Sequence, residues 1–352
     1  MSKMVIGIDL GDKRNYACAL NYKGDVVDLC SIRNTADAIR KYLSNYNNNK
    51  DDMLVVMEAG THSPWISRLI DQLGFTVMVG NPRKMRSIWA HELKTDARDA
   101  QMLARIGLFD TKLLYPINHR GIEAQAHLAI IKARDVLVRT RSALINHVRA
   151  SVKSWGDRIP RCSAECFHKR VVDRIADALL PALEPIIGQI HQLTEQIRIY
   201  DTQIATLCAE VYPETGLLQQ ISGVGPLTSL TFVLTIENVD RFRKSRTVGA
   251  YLGLTPKIDQ SGDSNKQLGL SKAGDRYLRR LLVGSAHFIM GPFGRDCELR
   301  RFGERLCERG GKNAKRRAVV AVARKLATKM HCIWRTGEIY NAFYNSGEKE
   351  AA

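Results

Sequence analysis

Asp9 ends the apolar run Met4-Val5-Ile6-Gly7-Ile8, and Glu58 ends a second one, Met53-Leu54-Val55-Val56-Met57. Asp96 and Asp99 stand three residues apart in Lys94-Thr95-Asp96-Ala97-Arg98-Asp99-Ala100, a spacing that puts both on one face of a helix. Two acids at strand ends and two on one helical face can converge on divalent metal ions. Hard carboxylate oxygens suit Mg²⁺, and two ions about 3.5–4 Å apart clamp the attacking and leaving oxygens of a phosphodiester. The expected cofactor is therefore Mg²⁺, as two ions, with Mn²⁺ as a substitute. Taken singly, Asp9 reads as a solvated strand end and Asp96/Asp99 as a solvated helix face. The set of four is what points to chemistry.

The elements that must position these acids are legible from the pattern. Strands are expected at about 4–10, 15–20 and 24–31, then a helix over 35–46, a strand over 53–58, a helix over 62–73 and a strand over 75–79. A last helix starts near 96. Gly24-Asp25 marks a turn and Asn81-Pro82 breaks the chain after the fifth strand. A three-strand meander followed by alternating helices and strands is similar to the RNase H/RuvC-like order. In that fold the acids come from the first strand, the fourth strand and the final helix.

Charge is segregated along the chain. The net formal charge is +17. Residues 1–110 hold 15 Lys/Arg against 13 Asp/Glu, and residues 111–215 hold 14 against 11. Residues 216–330 hold 22 against 9, a net of +13. A basic C-terminal region beside nearly neutral ones implies a polyanion gripped mainly there. Lys272, Arg276, Arg279, Arg280, Arg316 and Arg317 are the expected contacts. Neither a signal peptide nor a run of about 18 apolar residues is present, which argues against secretion and membrane spanning. Eight cysteines are scattered. Cys162, Cys166 and His168 hint at a metal, but no second pair completes a zinc site, so reduced cytosolic thiols are the expectation.

Helical periodicity takes over from about 122 to 212. Ile131, Val138, Ile145 and Val152 repeat every seven residues. Leu183, Ile190, Ile197, Ile204 and Val211 fill one heptad position, and Ile186, Leu193, Tyr200 and Leu207 fill the other. This spacing favours a coiled coil or a long helical hairpin turning near Trp155-Gly156, with a dimer or tetramer expected. Ile221-Ser222-Gly223-Val224-Gly225-Pro226 is similar to a DNA-binding helix-hairpin-helix turn, in which Gly223 and Gly225 let backbone N–H groups approach phosphates. Asp259-Gln260-Ser261-Gly262-Asp263-Ser264 is a polar stretch, and in isolation Ser261-Gly262 reads as a turn. Asp12 and Asp110 read as surface or capping acids, and His91, His119, His127 and His147 as packing or helix-surface residues.

Together these pieces resemble the DEDD-type serine transposases of the IS-one-ten insertion-sequence family, which includes relatives that invert DNA segments. The matching residues are Gly7-Ile8-Asp9, Glu58-Ala59, Thr95-Asp96-x-x-Asp99-Ala100, Gly223 to Pro226, Tyr251 to Pro256, Gln260-Ser261-Gly262 and Ser271 to Leu282. The resemblance spans nearly the whole chain in the family's order. It implies a RuvC-like DEDD catalytic domain over 1–120, a coiled-coil or helical hairpin over 121–212, a mainly helical transposase domain over 213–345, and a tail over 346–352. It further implies metal-binding roles for Asp9, Glu58, Asp96 and Asp99, and makes Ser261 the nucleophile. The implied partners are donor and target DNA and a structured noncoding bridge RNA, in a bacterial cytoplasm and at the nucleoid when acting.

Three rivals share features. A RuvC-like DNA junction nuclease would use the same acids with water as nucleophile and would not need the Ser261 region. An actin-like sugar kinase or ATPase also opens with Gly-Ile-Asp-Leu-Gly but requires a second phosphate loop that the sequence lacks. A non-catalytic nucleic-acid-binding protein accounts for the charge and leaves the four acids unexplained.

Overall fold

The computed structural model describes residues 4–85, 95–262 and 264–343. His91, Lys94, Asp263 and the 346–352 tail lie outside the described residues. The chain divides into two compact units, Met1–Gly121 and Ile122–Ala352.

The first unit runs β1 (Met4–Asp9), β2 (Arg14–Leu20), β3 (Val26–Arg33), α1 (Ala36–Ser44), β4 (Met53–Glu58), α2 (Ser63–Gln72), β5 (Thr76–Gly80), the short α3 (Pro82–Met85) and α4 (Asp96–Phe109). The third strand starts at Val26, two residues later than the pattern suggests. Asn21 closes the preceding turn by accepting from the N–H groups of Lys23 and Asp25 at 2.9 and 3.0 Å, and Gly24 takes φ +90° there. The sheet order is β3-β2-β1-β4-β5, with β1, β4 and β5 parallel and β2 and β3 antiparallel to their neighbours. β1 and β4 are central, so both faces are covered and their sequences are continuous apolar runs rather than alternating ones. Ile6, Ile8, Val55 and Met57 pack with Ile39 and Leu43 of α1 and Ile66 and Ile70 of α2. Val5, Leu54 and Val56 pack on the opposite face with Ala100, Leu103 and Ala104 of α4.

The second unit contains α5 (Ile122–Ser154), α6 (Phe167–Val171), α7 (Leu180–Thr206), α8 (Glu214–Gln219), α9 (Pro226–Ile236), α10 (Val248–Tyr251), β6 (Pro256–Ser261), β7 (Ser264–Leu270), α11 (Arg276–Ile289), α12 (Glu298–Glu308) and α13 (Ala314–Thr336). Helices α5 and α7 form an antiparallel hairpin. Leu128 and Ile131 meet Ile204 at one end, and Val148 and Val152 meet Leu183, Ile187 and Ile190 at the other. Gly156, at φ +92°, ends the first helix beside Trp155. Leu183, Ile190, Ile197 and Ile204 are buried as the heptad requires. Val211 is exposed, because a π-helical turn over Leu207–Val211 rotates it off the seam. The other heptad position, Ile186, Leu193, Tyr200 and Leu207, is only half-buried.

A helical core built from Leu218, Phe232, Leu252, Leu282, Leu299 and Leu326 holds the rest of this unit together. From it projects the antiparallel ribbon β6–β7, exposed on both faces. The sequence gives it a polar composition, which reads as a loop. The decisive signal is Gly262, at φ +53° beside Ser261, which pairs with Ser264 across the turn. A glycine at positive φ in a two-residue loop favours a tight hairpin.

Candidate functional site

The first unit brings its acids toward one edge of the sheet by register. β1 and β4 are parallel and paired from Met4↔Met53 to Ile8↔Met57. Asp9 and Glu58 are the next residues in that register, on strands spaced about 4.8 Å apart. Side chains alternate along a strand, so Asp9 continues the row of Val5 and Gly7, and Glu58 continues the row of Leu54 and Val56. Both rows face α4.

The direction of α4 completes the arrangement. Its Gly107 sits over Val5 and Val56, while its Ala100 and Ala104 backbone lies over Gly7. The helix therefore runs antiparallel to β1. From Gly7 to Asp9 is about 7 Å of strand, equivalent to about four helical residues at 1.5 Å each. That carries the first turn, Asp96 to Asp99, level with the carboxyl ends of β1 and β4. Thr95 caps this turn, its hydroxyl accepting from the Arg98 N–H. Asp96 and Asp99 also lie within the first turn's positive dipole field, which favours carboxylates on its own account. Asp96 is exposed, whereas Asp9, Glu58 and Asp99 are half-buried.

Gly7 is what lets α4 approach. A Cβ there would stand 2.1 Å from the Ala100 carbonyl oxygen and 2.4 Å from the Ala104 nitrogen. The loops leaving the two acid-bearing strands are also pinned. Buried Asn15 accepts from the Gly11 N–H at 3.1 Å and donates to Asn34 Oδ1 at 3.2 Å, and Asn34 Nδ2 donates to the Gly11 carbonyl at 2.8 Å. Ser63 accepts from the Gly60 N–H at 2.9 Å and donates to the Gly60 carbonyl at 2.8 Å. His62 links the loops, its Nε2 lying 3.4 Å from Asp12 Oδ1 while its Nδ1 accepts from Trp65 Nε1 at 3.3 Å. These positioning residues carry no motif that would single them out in the sequence. Asp110 caps the turn after α4, its side chain accepting from the Lys112 N–H at 2.9 Å.

The donor set fits a hard divalent cation: four carboxylates and no thiolate or imidazole. Among the described residues, no three His, Cys, Asp or Glu side chains are drawn close enough together to hold an ion. The backbone thus frames the edge without closing the carboxylates around it. The same observation applies to Cys162, Cys166 and His168: His168 stacks on His191, with ring centroids 4.4 Å apart, and all eight cysteines are free thiols.

In the second unit, Ser261 stands at the tip of the exposed ribbon. Gly223 adopts φ +86° in the turn between α8 and α9, where a Cβ would press on Phe288 and the Ser285 carbonyl at 3.0 and 3.2 Å. Gly225 opens α9 in extended conformation with open space beside it. The expected basic contacts divide by duty. Arg279 donates to the Leu252 and Ala273 carbonyls at 2.8 and 2.6 Å. Arg280 pairs with Asp135 of α5 and lies over the Tyr277 ring. Both are committed to the fold. Lys272, Arg276, Arg316 and Arg317 are exposed, with Arg317 donating to the Gly310 carbonyl at 3.2 Å. No helix among the described residues is long and apolar enough to cross a membrane.

Two family models match separate stretches of the chain. Residues 6–155, which contain all four acids, match the family model of the IS110 DEDD transposase domain. Residues 215–294, which contain Ser261, match the family model described as transposase IS116/IS110/IS902 family. The chain is 24% identical over 343 residues to the transposase for insertion sequence element IS1111A of Coxiella burnetii, covering 96% of this chain and 91% of that protein. It is 28% identical over 295 residues to the transposase of IS1328 from Yersinia enterocolitica, covering 81% and 84%. It is 25% identical over 345 residues to the pilin gene-inverting protein of Moraxella bovis, covering 95% and 97%.

Proposed function

The chain is a DNA transposase of the IS110 family, and we propose that it cuts and rejoins DNA through a phosphoserine intermediate formed on Ser261. Its DEDD domain fits an RNase H-like fold and divalent-metal dependence. The in-register termination of β1 and β4 at Asp9 and Glu58, level with the first turn of α4, supports the metal-dependent part of this reading; the observation that carries the serine is its place at the tip of the exposed ribbon, within the matched segment 215–294.

In this reading the Ser261 oxygen attacks a phosphodiester in line. A serine–phosphate bond forms, the bond to the DNA 3′ oxygen breaks, the hydroxyl proton is lost and the departing oxygen takes up a proton as a 3′-hydroxyl. The phosphoserine keeps the energy of the broken ester, so the reverse attack by a 3′-hydroxyl rejoins strands without ATP. A divalent cation, Mg²⁺ as two ions or Mn²⁺ in its place, held by Asp9, Glu58, Asp96 and Asp99, supplies charge neutralisation at the phosphate when bound. Asn15, Asn34 and Ser63 hold the loops beside the acids, and Gly7 sets the height of α4 above the sheet. Residues 1–120 serve as the RuvC-like catalytic domain, 121–212 as the helical hairpin and 213–345 as the serine-bearing domain. Donor and target DNA and a structured guide RNA are the partners, gripped through Lys272, Arg276, Arg316 and Arg317 and through the Gly223–Gly225 helix-hairpin-helix turn. The half-buried seam of α7 supports a dimer or tetramer. The enzyme acts on the nucleoid in the bacterial cytoplasm.

The test is covalent trapping. A nicked suicide substrate carrying the element's end should yield a protein–DNA adduct that survives denaturation, with the modified peptide mapping to Ser261. Ser261→Ala should abolish the adduct and retain nucleic-acid binding, because one hydroxyl contributes little to a grip on many phosphates. Efficient cleavage by Ser261→Ala would instead make water the nucleophile and the protein a junction-type nuclease.

A further inference from the structure

Below the Ser261 ribbon lies a groove that no motif announces. It is a cavity of about 890 Å³ between the base of the β6–β7 ribbon, α12 and the first turns of α13, within the range of about 300–1,000 Å³ typical of sites for small ligands. Its floor is apolar: Leu254, Leu268, Leu270, Phe302, Val320 and Ala321 line it. Its rim is cationic, with Arg316, Arg317, Arg324 and Lys325 contributing from α13, and no acidic side chain lines it among the described residues. Lys325 is partly neutralised, since its Nζ bonds Glu298 at 2.5 Å while lying 4.8 Å from the Phe302 ring centroid. The three arginines set the field.

The order along α13 matters. Arg317 and Arg324 are seven residues apart, about 10 Å along the helix. Val320 and Ala321 lie between them on the same face. Cation, apolar step, cation is complementary to phosphate, base, phosphate. A duplex buries its bases in the stack and presents phosphates alone, so it would leave the apolar floor unused. An unstacked nucleotide uses both parts: guanidinium planes and apolar side chains take the base, and the arginine charges take the flanking phosphates. Leu268 is 48% exposed on a ribbon covered on neither face, so its burial is left to a ligand.

We infer that this groove holds one unstacked nucleotide of the DNA strand on which Ser261 acts. This rests on the reading of Ser261 given above. The groove residues of β7 lie about four residues from the ribbon tip, some 13 Å. That distance corresponds to about four base steps at 3.4 Å. The nucleotide so held therefore lies within a few positions of the scissile phosphate, and pulling it out of the stack presents a locally opened strand to Ser261. Matched duplex would be bound through its phosphates and would leave the floor empty.

Binding of the full-length chain in the presence of EDTA tests the groove without requiring cleavage. The probes are labelled oligo-dT of about 20 nucleotides, a mixed-sequence duplex of the same length, and oligo-rU, read by fluorescence anisotropy across a salt series. Leu268→Asn and Ala321→Gln replace apolar floor by polar side chains without touching a charge. Each should weaken oligo-dT about tenfold, as loss of one base stack does, and leave the duplex affinity and both salt slopes unchanged. Arg316→Gln with Arg317→Gln should flatten the salt slope for both DNAs. If the floor variants leave the preference between oligo-dT and duplex intact, the groove holds no base. If they weaken oligo-rU and spare oligo-dT, the occupant is RNA and the assignment to DNA fails. Failure of the Ser261 reading would show separately, as a missing covalent adduct with the floor effects on oligo-dT still present.

Discussion

Replacing Gly7 by alanine should both destabilise the first unit and disable the acids it carries. The added Cβ would lie 2.1 Å from the Ala100 carbonyl oxygen, where ordinary contact begins at 3.4 Å. Relief therefore needs a shift of about 1.3 Å, the difference between those distances. The opposing atoms are helix backbone and cannot rotate aside, so α4 as a whole must lift. Overpacking of this kind costs about 1–3 kcal/mol, occasionally more, and the backbone partner puts Gly7→Ala at the upper end. A loss of about 2–3 kcal/mol corresponds to a fall of roughly 8–12 °C in the melting midpoint of a unit this size. The lift also moves Asp96 and Asp99 away from Asp9 and Glu58, and a displacement of about 1 Å in reacting groups can cost about a hundredfold in rate. Gly107→Ala is the comparison, because its Cβ would meet the Val56 and Val5 side chains at 2.6 and 3.0 Å. Those methyls can yield, and alanine regains up to about 1 kcal/mol of helix propensity, so the net loss should stay near or below about 1 kcal/mol. Circular dichroism melts and single-turnover cleavage by the two variants provide the measurement. Wild-type stability and cleavage in Gly7→Ala, or greater damage from Gly107→Ala, would refute the close-approach argument.

Asp99→Asn, which keeps the size of the side chain and removes its charge, should lose cleavage by two orders of magnitude or more while melting within a few degrees of the parent; normal recombination by the folded variant would remove Asp99 from the site. Ile190→Glu places an unpaired charge in the fully buried interior of the α5–α7 hairpin and should cost about 3–5 kcal/mol, seen as a lower urea midpoint. By contrast Leu193→Lys, on the half-buried seam, should keep the fold and reduce any oligomer in light scattering. Burial holds His119, His168 and His331 below the ordinary histidine range. Their neutral forms are favoured in the folded state, so the stability they contribute is fully present above the unfolded value near 6.5 and is lost as pH falls through the lowered folded values. Urea midpoints at neutral and mildly acidic pH should show that fall, and His331→Gln, which does not titrate, should make it shallower; an unchanged pH dependence would clear His331 of the effect.

The sequence by itself determined the elements of the first unit to within a few residues. Their signals are local: apolar runs for strands covered on both faces, and glycine or proline at the turns. It also determined that Asp9 and Glu58 end strands and that Asp96 and Asp99 share a helical face, because those relations depend only on position and period. Only the tertiary structure decided that β1 and β4 are parallel neighbours in a register that sets Asp9 beside Glu58, and that α4 runs antiparallel to them with its first turn at the same edge. Pairing and helix direction are non-local, and no residue type encodes them. The Asn15–Asn34 clamp belongs to the same class, since two asparagines 19 residues apart acquire meaning only when β2 and β3 bring them together. In the second unit, charge counting found the basic region but could not divide it. Arg279 and Arg280 are drawn into the fold by backbone carbonyls and Asp135, whereas Arg316 and Arg317 are left facing the groove. The groove itself was out of reach of sequence, because its floor is assembled from a ribbon and two helices spread over residues 254–328.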